Sequence, residues 1–239
     1  MKPQLSLIIP CYNEHESIDG VMAKVIQFQQ SEEAIKHFSG VEVIVVDDNS
    51  NDGSSRLLQK YQSIKVITHP KNQGYGGALK TGFKSAKGDL LSFLDMDSSY
   101  EPFDLIPLYQ KLTLSNAEII FGNRMDSQEG MNFIRGFGND LYRHMVKLMF
   151  GSKLSDVCTG IRLFKRSLRD SILELPTQGL NYSLEFTVWV LQNKVPYEEV
   201  TVNYYPRTGE SKLSEWSDGW AFLKVILVYR LRNLWWIKS

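Results

Sequence analysis

The chain has 239 residues, 43% hydrophobic and 23% charged, and its 27 Lys and Arg balance 27 Asp and Glu. That length buries about 70–75% of the unfolded surface, so the fold needs neither disulfides nor a structural metal, and the neutral balance predicts no nucleic-acid partner. Cys11 and Cys158 form no Cys-x-x-Cys pair, which excludes a zinc ribbon or disulfide framework and predicts a reducing compartment. Met1-Lys2-Pro3-Gln4 leads straight into a strand-like run, without the apolar stretch and cleavage site of a signal peptide, so a cytoplasmic location is expected. Charge is uneven: residues 1–123 hold 11 Lys and Arg against 15 Asp and Glu, whereas 124–239 hold 16 against 12. An anion is therefore expected to sit in the second half.

Short β-rich runs at 5–9, 42–46, 65–68, 90–94 and 119–122 alternate with helical stretches at 17–30, 54–61, 76–85 and 102–114. The strands read as continuous apolar runs, the pattern of strands buried on both faces. This predicts an α/β fold with a Rossmann-like, mainly parallel sheet flanked by helices. After residue 122 the alternation weakens, with a helix expected at 135–150, a strand at 160–164, a helix at 183–192 and a β-run at 200–205 ending at Pro206. No repeat or linker interrupts the chain, so a single domain with a C-terminal helical tail is expected.

Ligands in such sheets bind beyond the carboxyl ends of the strands. Each polar cluster lies there: Pro10-Cys11-Tyr12-Asn13-Glu14 after the first run, 47–53 after the second, and Asp95-Met96-Asp97 after the fourth. Burying carboxylates is costly without a cation or hydrogen bonds, and Mg²⁺ is typically held by one or two carboxylates plus substrate phosphates. Asp95 and Asp97 are thus either a divalent cation site or a solvated turn. The acceptor-rich loop 47–53 suits ribose hydroxyls and a base edge, or else caps the next helix through Asp52 or Ser54. Residues 69–78 are a Gly-rich lead into a helix, able to bring backbone amides to an anion, yet they match neither a Walker loop nor the dinucleotide spacing.

Together, Ile8-Ile9-Pro10-Cys11-Tyr12-Asn13-Glu14, the 45–53 segment, Asn72-Gln73-Gly74-Tyr75-Gly76-Gly77-Ala78 and Asp95-Met96-Asp97 resemble glycosyltransferase family 2. Gly122-Asn123-Arg124, Arg135-x-x-x-Asn139, Asp156-Val157-Cys158-Thr159-Gly160-Ile161-Arg162 and Gly209-Glu210-Ser211-Lys212-Leu213 are similar to its dolichyl-phosphate mannosyltransferase and polyprenyl-phosphate glycosyltransferase branch. The resemblance spans residues 5–213. It implies a GT-A fold over 1–215, with a nucleotide-sugar half at 1–123 and an acceptor half at 124–215. It further implies an inverting transfer from a UDP- or GDP-sugar to a polyprenyl or dolichyl phosphate, with Mg²⁺ or Mn²⁺.

Carried over by position, the resemblance assigns Pro10, Tyr12, Glu14, Asp47, Asp48, Asp95 and Met96 to the nucleotide sugar, with Arg207 and Lys212 on its diphosphate. Asp95, Asp97 and Ser99 would form the metal site, Ser99 standing where relatives often carry Gln. Arg124, Arg135 and Asn139 would hold the acceptor phosphate, and Asp97, Asp156 and Arg124 would carry the chemistry. Cations beside a diphosphate would stabilise the charge that develops on the leaving group. A phosphate monoester, with a second pKa of about 6, arrives ionised and needs no base. A hydroxyl acceptor would need one, with Asp156 as candidate, and a nucleotide-sugar-binding module without activity is a third reading.

The tail, 216–239, is expected to form an amphipathic helix. Lys224, Arg230 and Arg232 would cost about 2.5–3.5 kcal/mol each at a bilayer centre against about 0.3–0.6 gained per large aliphatic, which argues against a span. Trp220, Trp235 and Trp236 beside these cations fit peripheral contact through 218–238 at the cytoplasmic membrane face. Packing on the domain, or on a second copy in a homo-oligomer, is the alternative.

Overall fold

The computed structural model describes residues 1–124, 133–209 and 215–236, with side chains described for all of these except 133–138, 215–218 and 232–236. The strands are β1 (Gln4–Cys11), β2 (Gly40–Asp47), β3 (Lys65–Thr68), β4 (Leu90–Phe93), β5 (Ile119–Asn123), β6 (Arg162–Lys165) and β7 (Tyr197–Thr201). Among the described residues they form one seven-stranded sheet in the order β3-β2-β1-β4-β6-β5-β7. Pairing is parallel except at β6, which runs antiparallel to both β4 and β5.

The helices are α1 (His15–Gln30), α2 (Glu32–His37), α3 (Ser54–Leu58), α4 (Tyr75–Ser85), α5 (Leu105–Leu114), α6 (Phe133–Phe150), α7 (Arg169–Leu173), α8 (Tyr182–Gln192) and α9 (Glu215–Trp236). In β1, Leu5, Leu7 and Ile9 face a core shared with Ile18 and Met22 of α1 and Leu105 and Leu108 of α5. Ile8 faces the opposite core, with Leu79 and Phe83 of α4, Phe186 of α8 and Ile226 of α9. Burial on both faces is why this strand carries no polar alternation beyond Ser6.

Several expectations shift. The strand expected at 200–205 forms at Tyr197–Thr201, in register with β5 from Ile119↔Tyr197 to Asn123↔Thr201. It is an edge strand of intermediate burial, so its apolar signal is weak, and pairing with β5 sets its position. The strand expected at 160–164 forms at Arg162–Lys165. The short helices α2 and α7 have no counterpart in the sequence reading, because five or six residues are too few to display a helical period.

The tail folds as α9, starting at Glu215. One face is buried by Phe222, Val225, Ile226 and Tyr229. Phe222 stacks on Tyr142 of α6 with centroids 5.3 Å apart, and the Tyr229 hydroxyl donates to Glu185 Oε1 of α8 at 3.0 Å. Packing on the domain therefore holds for that face. The other face exposes Trp220, Leu227 and Leu231 beside Lys224 and Arg230, while the side chains of Arg232, Trp235 and Trp236 lie outside those described. Among the described residues no helix is long and apolar enough to cross a membrane.

Candidate functional site

The motif loops leave β1, β2 and β4 through residues in the left-handed region, Asn13 at φ 54°, Asn49 at 65° and Ser98 at 65°. Asn tolerates this conformation because its short side chain bonds locally. Here the Asn13 side chain accepts the Asn51 N–H at 2.9 Å, and its own N–H donates to Ser50 Oγ at 2.9 Å. The Glu14 N–H donates to Ser54 Oγ at 3.1 Å and the His15 N–H to Asp52 Oδ2 at 3.0 Å, so the first two loops form one stitched rim. Asp52 also accepts the Ser54 N–H at 2.9 Å, although the N-cap position of α3 is Gly53, at φ 96°, and not Asp52 or Ser54.

Within that rim the structure turns Asp47 and Asp48 inward. Asp47 accepts the Ser50 N–H at 3.1 Å and the Ser55 hydroxyl. Asp48 accepts the Gln73 N–H at 2.7 Å and the Gly74 N–H at 2.8 Å, and its Oδ1 lies 2.6 Å from His69 Nδ1. His69 Nε2 in turn sits 2.9 Å from Thr81 Oγ1. Both carboxylates are buried, and a buried charge must be matched by donors, which the loops supply. They brace the rim and the Gly-rich turn instead of facing outward. Gly74 itself, at φ 84°, has no room for a Cβ, which would stand 2.5 Å from the Gln178 carbonyl.

Of the other residues expected on the nucleotide sugar, Tyr12 is 37% exposed at the end of β1, where a ring is available to a ligand. Pro10 lies in β1, buried and in register with Val46, and the Met96 side chain belongs to the α1 and α5 core. Their side chains therefore face away from solvent. The Met96 carbonyl receives the Ser17 hydroxyl, which ties the turn after β4 to α1.

Asp97 and Asp95 occupy that turn. Asp97 Oδ1 accepts the Ser99 N–H at 3.0 Å and the Ser99 hydroxyl at 2.5 Å, so Ser99 braces the carboxylate it was expected to join as a ligand. Arg207 spans two acids, its Nη2 at 3.3 Å from Glu14 Oε1 and its Nη1 at 3.7 Å from Asp97 Oδ2. The strap carrying Arg207 is pinned to the same turn, with the Tyr205 N–H on Ser99 O at 3.1 Å and the Thr208 N–H on Asp97 O at 2.8 Å. Burial, followed by the charge of Asp97, pushes the Asp95 carboxyl up to about 7, against the lowering influence of a Tyr75 hydrogen bond and the Arg124 and Arg207 charges.

A second cluster adjoins it. Arg124, at the end of β5, grips the fully buried Asp156 through Nε to Oδ2 at 2.5 Å and Nη2 to Oδ1 at 3.0 Å. Its guanidinium lies over the rings of Tyr204 and Tyr100, at 5.2 and 6.0 Å from their centroids. Asp156 Oδ1 also accepts the Asn139 side-chain amide of α6 at 3.3 Å and the Cys158 N–H at 3.1 Å. Burial alone would raise the Asp156 carboxyl, but the Arg124 charge and these hydrogen bonds hold it below its ordinary value. Two residues expected at the acceptor phosphate, Arg124 and Asn139, thus meet around the Asp156 carboxylate. Arg135 falls in the first turn of α6, where side chains lie outside those described, and Lys212 lies outside the described residues.

The donor set fits a hard divalent cation. Burial first, and the charge of Asp97 second, disfavour the ionised Asp95 carboxyl, and a cation beside the two acids would offset both. Among the described residues no group of three His, Cys, Asp or Glu could enclose a metal, so remaining ligands would come from phosphate or water, as is usual for Mg²⁺. Tyr75, Tyr100, Tyr204 and Gly160 also line this region without having been singled out in the sequence. Tyr75 and Gly160 sit inside the 72–78 and 156–162 motifs, whereas nothing in the chain's pattern marks Tyr100 or Tyr204, which reach the site only through the turn after β4 and the strap after β7.

The chain is 24% identical over 230 residues to the low-salt glycan biosynthesis hexosyltransferase Agl6 of Haloferax volcanii, covering 95% of this chain and 54% of that protein. It thus spans about half the length of that relative. It is 26% identical to the human dolichyl-phosphate beta-glucosyltransferase over 97% of this chain and 76% of that protein. Its fold superposes with a TM-score of 0.73 and 16% identity on glucosyl-3-phosphoglycerate synthase from Mycobacterium tuberculosis, solved with Mn²⁺, UDP and glucosyl-3-phosphoglycerate, over 95% of this chain and 80% of that one. The model of glycosyl transferase family 2 matches residues 6–173, from β1 through the acid-bearing turns to α7. With four motif loops at the strand ends of a GT-A sheet, the chain belongs to glycosyl transferase family 2.

Proposed function

We propose that this glycosyltransferase moves a hexose from a nucleoside diphosphate sugar to a polyprenyl phosphate, with inversion and with a divalent cation at Asp95 and Asp97. In this reading residues 1–123 serve the donor and 124–215 the acceptor. The observation that carries it is the adjacency of two charge clusters, the paired acids of the β4 turn and the Arg124–Asp156–Asn139 group. Donor and acceptor phosphates both need cations, and the acids need a counter-charge. The relatives' names, dolichyl-phosphate beta-glucosyltransferase among them, and the Mn²⁺ and UDP of the solved neighbour support the same pairing.

The chain's own residues account for most of the task. The rim of Tyr12 and the 48–53 loop would receive the nucleoside. Arg207, now shared by Glu14 and Asp97, would neutralise diphosphate oxygens as the glycosidic bond lengthens, in the planar two-point manner that suits guanidinium. The bound cation would supply Lewis-acid stabilisation of the same departing charge. Arg124, aimed by Asp156 and flanked by two tyrosine rings, would orient the acceptor phosphate. That phosphate is already ionised at neutral pH and attacks without a base. A hydroxyl acceptor would require Asp156 to take a proton, yet its carboxylate is enclosed by four hydrogen bonds and held below its ordinary pKa, which favours the phosphate acceptor.

Such an acceptor brings the enzyme to a lipid surface. The outward face of α9, with Trp220, Leu227 and Leu231 beside Lys224 and Arg230, is the proposed contact. The deciding assay supplies purified protein with Mn²⁺ or Mg²⁺, a panel of UDP- and GDP-hexoses and a polyprenyl phosphate. Release of nucleoside diphosphate that requires both cation and lipid phosphate is expected. Release with saccharide hydroxyls instead, or tight donor binding without release for any acceptor, would overturn the reading.

A further inference from the structure

Tyr75 and Gly160, neither of which the proposed reaction uses, close on the two oxygens of the Asp95 carboxylate. The Tyr75 hydroxyl donates to Asp95 Oδ1 at 2.8 Å. At Gly160 an added Cβ would stand 2.6 Å from Asp95 Oδ2 and 2.9 Å from a ring carbon of Tyr100, so the backbone there packs directly against the second oxygen. Neither partner is loose. The Gly160 N–H donates to the Tyr100 hydroxyl at 2.7 Å, and Tyr100 is buried. Tyr75 begins α4, whose first turn is tied down by the Gly77 N–H on Gln178 O at 3.1 Å and the Ala78 N–H on Gly74 O at 2.9 Å. Three segments distant in sequence therefore converge on one side chain: the start of α4, the turn after β4 and the 156–160 turn.

An aspartate on a tight turn has two rotatable bonds, and its carboxylate plane is set only by what touches it. A donor on one oxygen and a close backbone wall on the other leave one orientation. Each oxygen keeps lone pairs beyond those the clamp engages. We propose that Tyr75 and Gly160 are positioning residues that fix the Asp95 carboxylate plane, and thereby set the affinity of this site for a divalent cation and the nucleoside diphosphate bound with it. This rests on the reading of Asp95 and Asp97 as the cation site. Groups that orient ligating side chains typically contribute 10–100-fold to metal affinity.

The test is Mn²⁺ binding to the full chain in the presence of UDP or GDP and without acceptor, followed by electron paramagnetic resonance, for the wild type, Tyr75→Phe, Gly160→Ala and Asp97→Asn. Tyr75→Phe keeps the ring and removes one donor, so it decides the matter even where Gly160→Ala does not fold. About 10–100-fold weaker Mn²⁺ binding by Tyr75→Phe is expected, in protein whose cooperative unfolding in EDTA shows it folded, and with turnover restored when Mn²⁺ is saturating. Wild-type Mn²⁺ affinity in Tyr75→Phe, alongside lost binding in Asp97→Asn, would overturn the clamp and leave the cation site standing. Absence of Mn²⁺ binding by the wild type would overturn both.

Discussion

Arg124 and Asp156 meet in a two-point contact, Nε to Oδ2 at 2.5 Å and Nη2 to Oδ1 at 3.0 Å, with the carboxylate wholly buried. Removing one partner of such a pair leaves the other as an uncompensated buried charge, a loss of about 3–5 kcal/mol. Asp156→Ala is therefore expected to lower unfolding stability by about that amount in urea titration, and a second substitution, Arg124→Met, to recover part of it. A double variant as unstable as the two single losses added together would show that the residues do not act as a pair.

In activity, Asp156→Asn is expected to lose less than Asp97→Asn when both are assayed as folded protein with polyprenyl phosphate. Asn still offers an oxygen to Arg124, whereas Asp97 carries charge that no amide replaces. Equal and near-total loss in both would count against base-free attack.

The pH dependence of the metal-free protein follows from Asp95. Burial and then Asp97 raise its carboxyl to about 7 in the folded state, from about 3.9 when unfolded. Its contribution to stability is complete below the unfolded value and disappears as pH rises through the folded one. The Asp156 carboxyl is lowered, so its contribution is present above the unfolded value and is lost only as pH falls below it. Between pH 5 and 8 the two are thus separable. In EDTA the wild-type thermal midpoint should fall over this range relative to that of Asp95→Asn, and parallel pH profiles would refute the assignment.

Asp48 anchors the Gly-rich turn through the Gln73 and Gly74 amides and His69. Asp48→Ala removes the acceptor of these groups, and a hydrogen bond to a charged acceptor is worth about 1.5–3 kcal/mol. The variant should be destabilised by about 2 kcal/mol or more in urea titration. It should also accelerate amide hydrogen exchange at Gln73 and Gly74, a local signature that a ribose-facing Asp48 would not give.

The two faces of α9 separate stability from location. Phe222→Ala removes a ring stacked on Tyr142 and is expected to destabilise by about 3 kcal/mol. A triple replacement of Trp220, Leu227 and Leu231 by Ser touches only the outward face and should leave the thermal midpoint nearly unchanged. It should abolish flotation with anionic liposomes; flotation equal to wild type would remove α9 as the lipid contact.

Much of residues 1–123 was legible before folding. β1, β2 and β4 are apolar runs because both their faces are covered, and each ends abruptly in polar residues that leave the sheet at its ligand-binding edge. Asp95 and Asp97 stand out for the same reason, since carboxylates seldom finish such a run uncompensated. The cation–carboxylate meeting of Arg124 with Asp156 spans 32 residues, and only the antiparallel insertion of β6 between β4 and β5 brings the loops concerned side by side.

Residue identity thus determined which strand ends carry polar and acidic clusters, because hydrophobic periodicity and charge placement are local properties of the chain. Direction was decided by tertiary contacts. Asp48 belongs to a loop with the composition of a ribose-binding segment yet points inward, because the Gln73 and Gly74 amides of another loop satisfy it, whereas Asp47 is held locally by Ser50 and Ser55. Asp95 is held between Tyr75 and Gly160, 20 residues before it in one case and 65 after it in the other, a geometry that no spacing rule encodes.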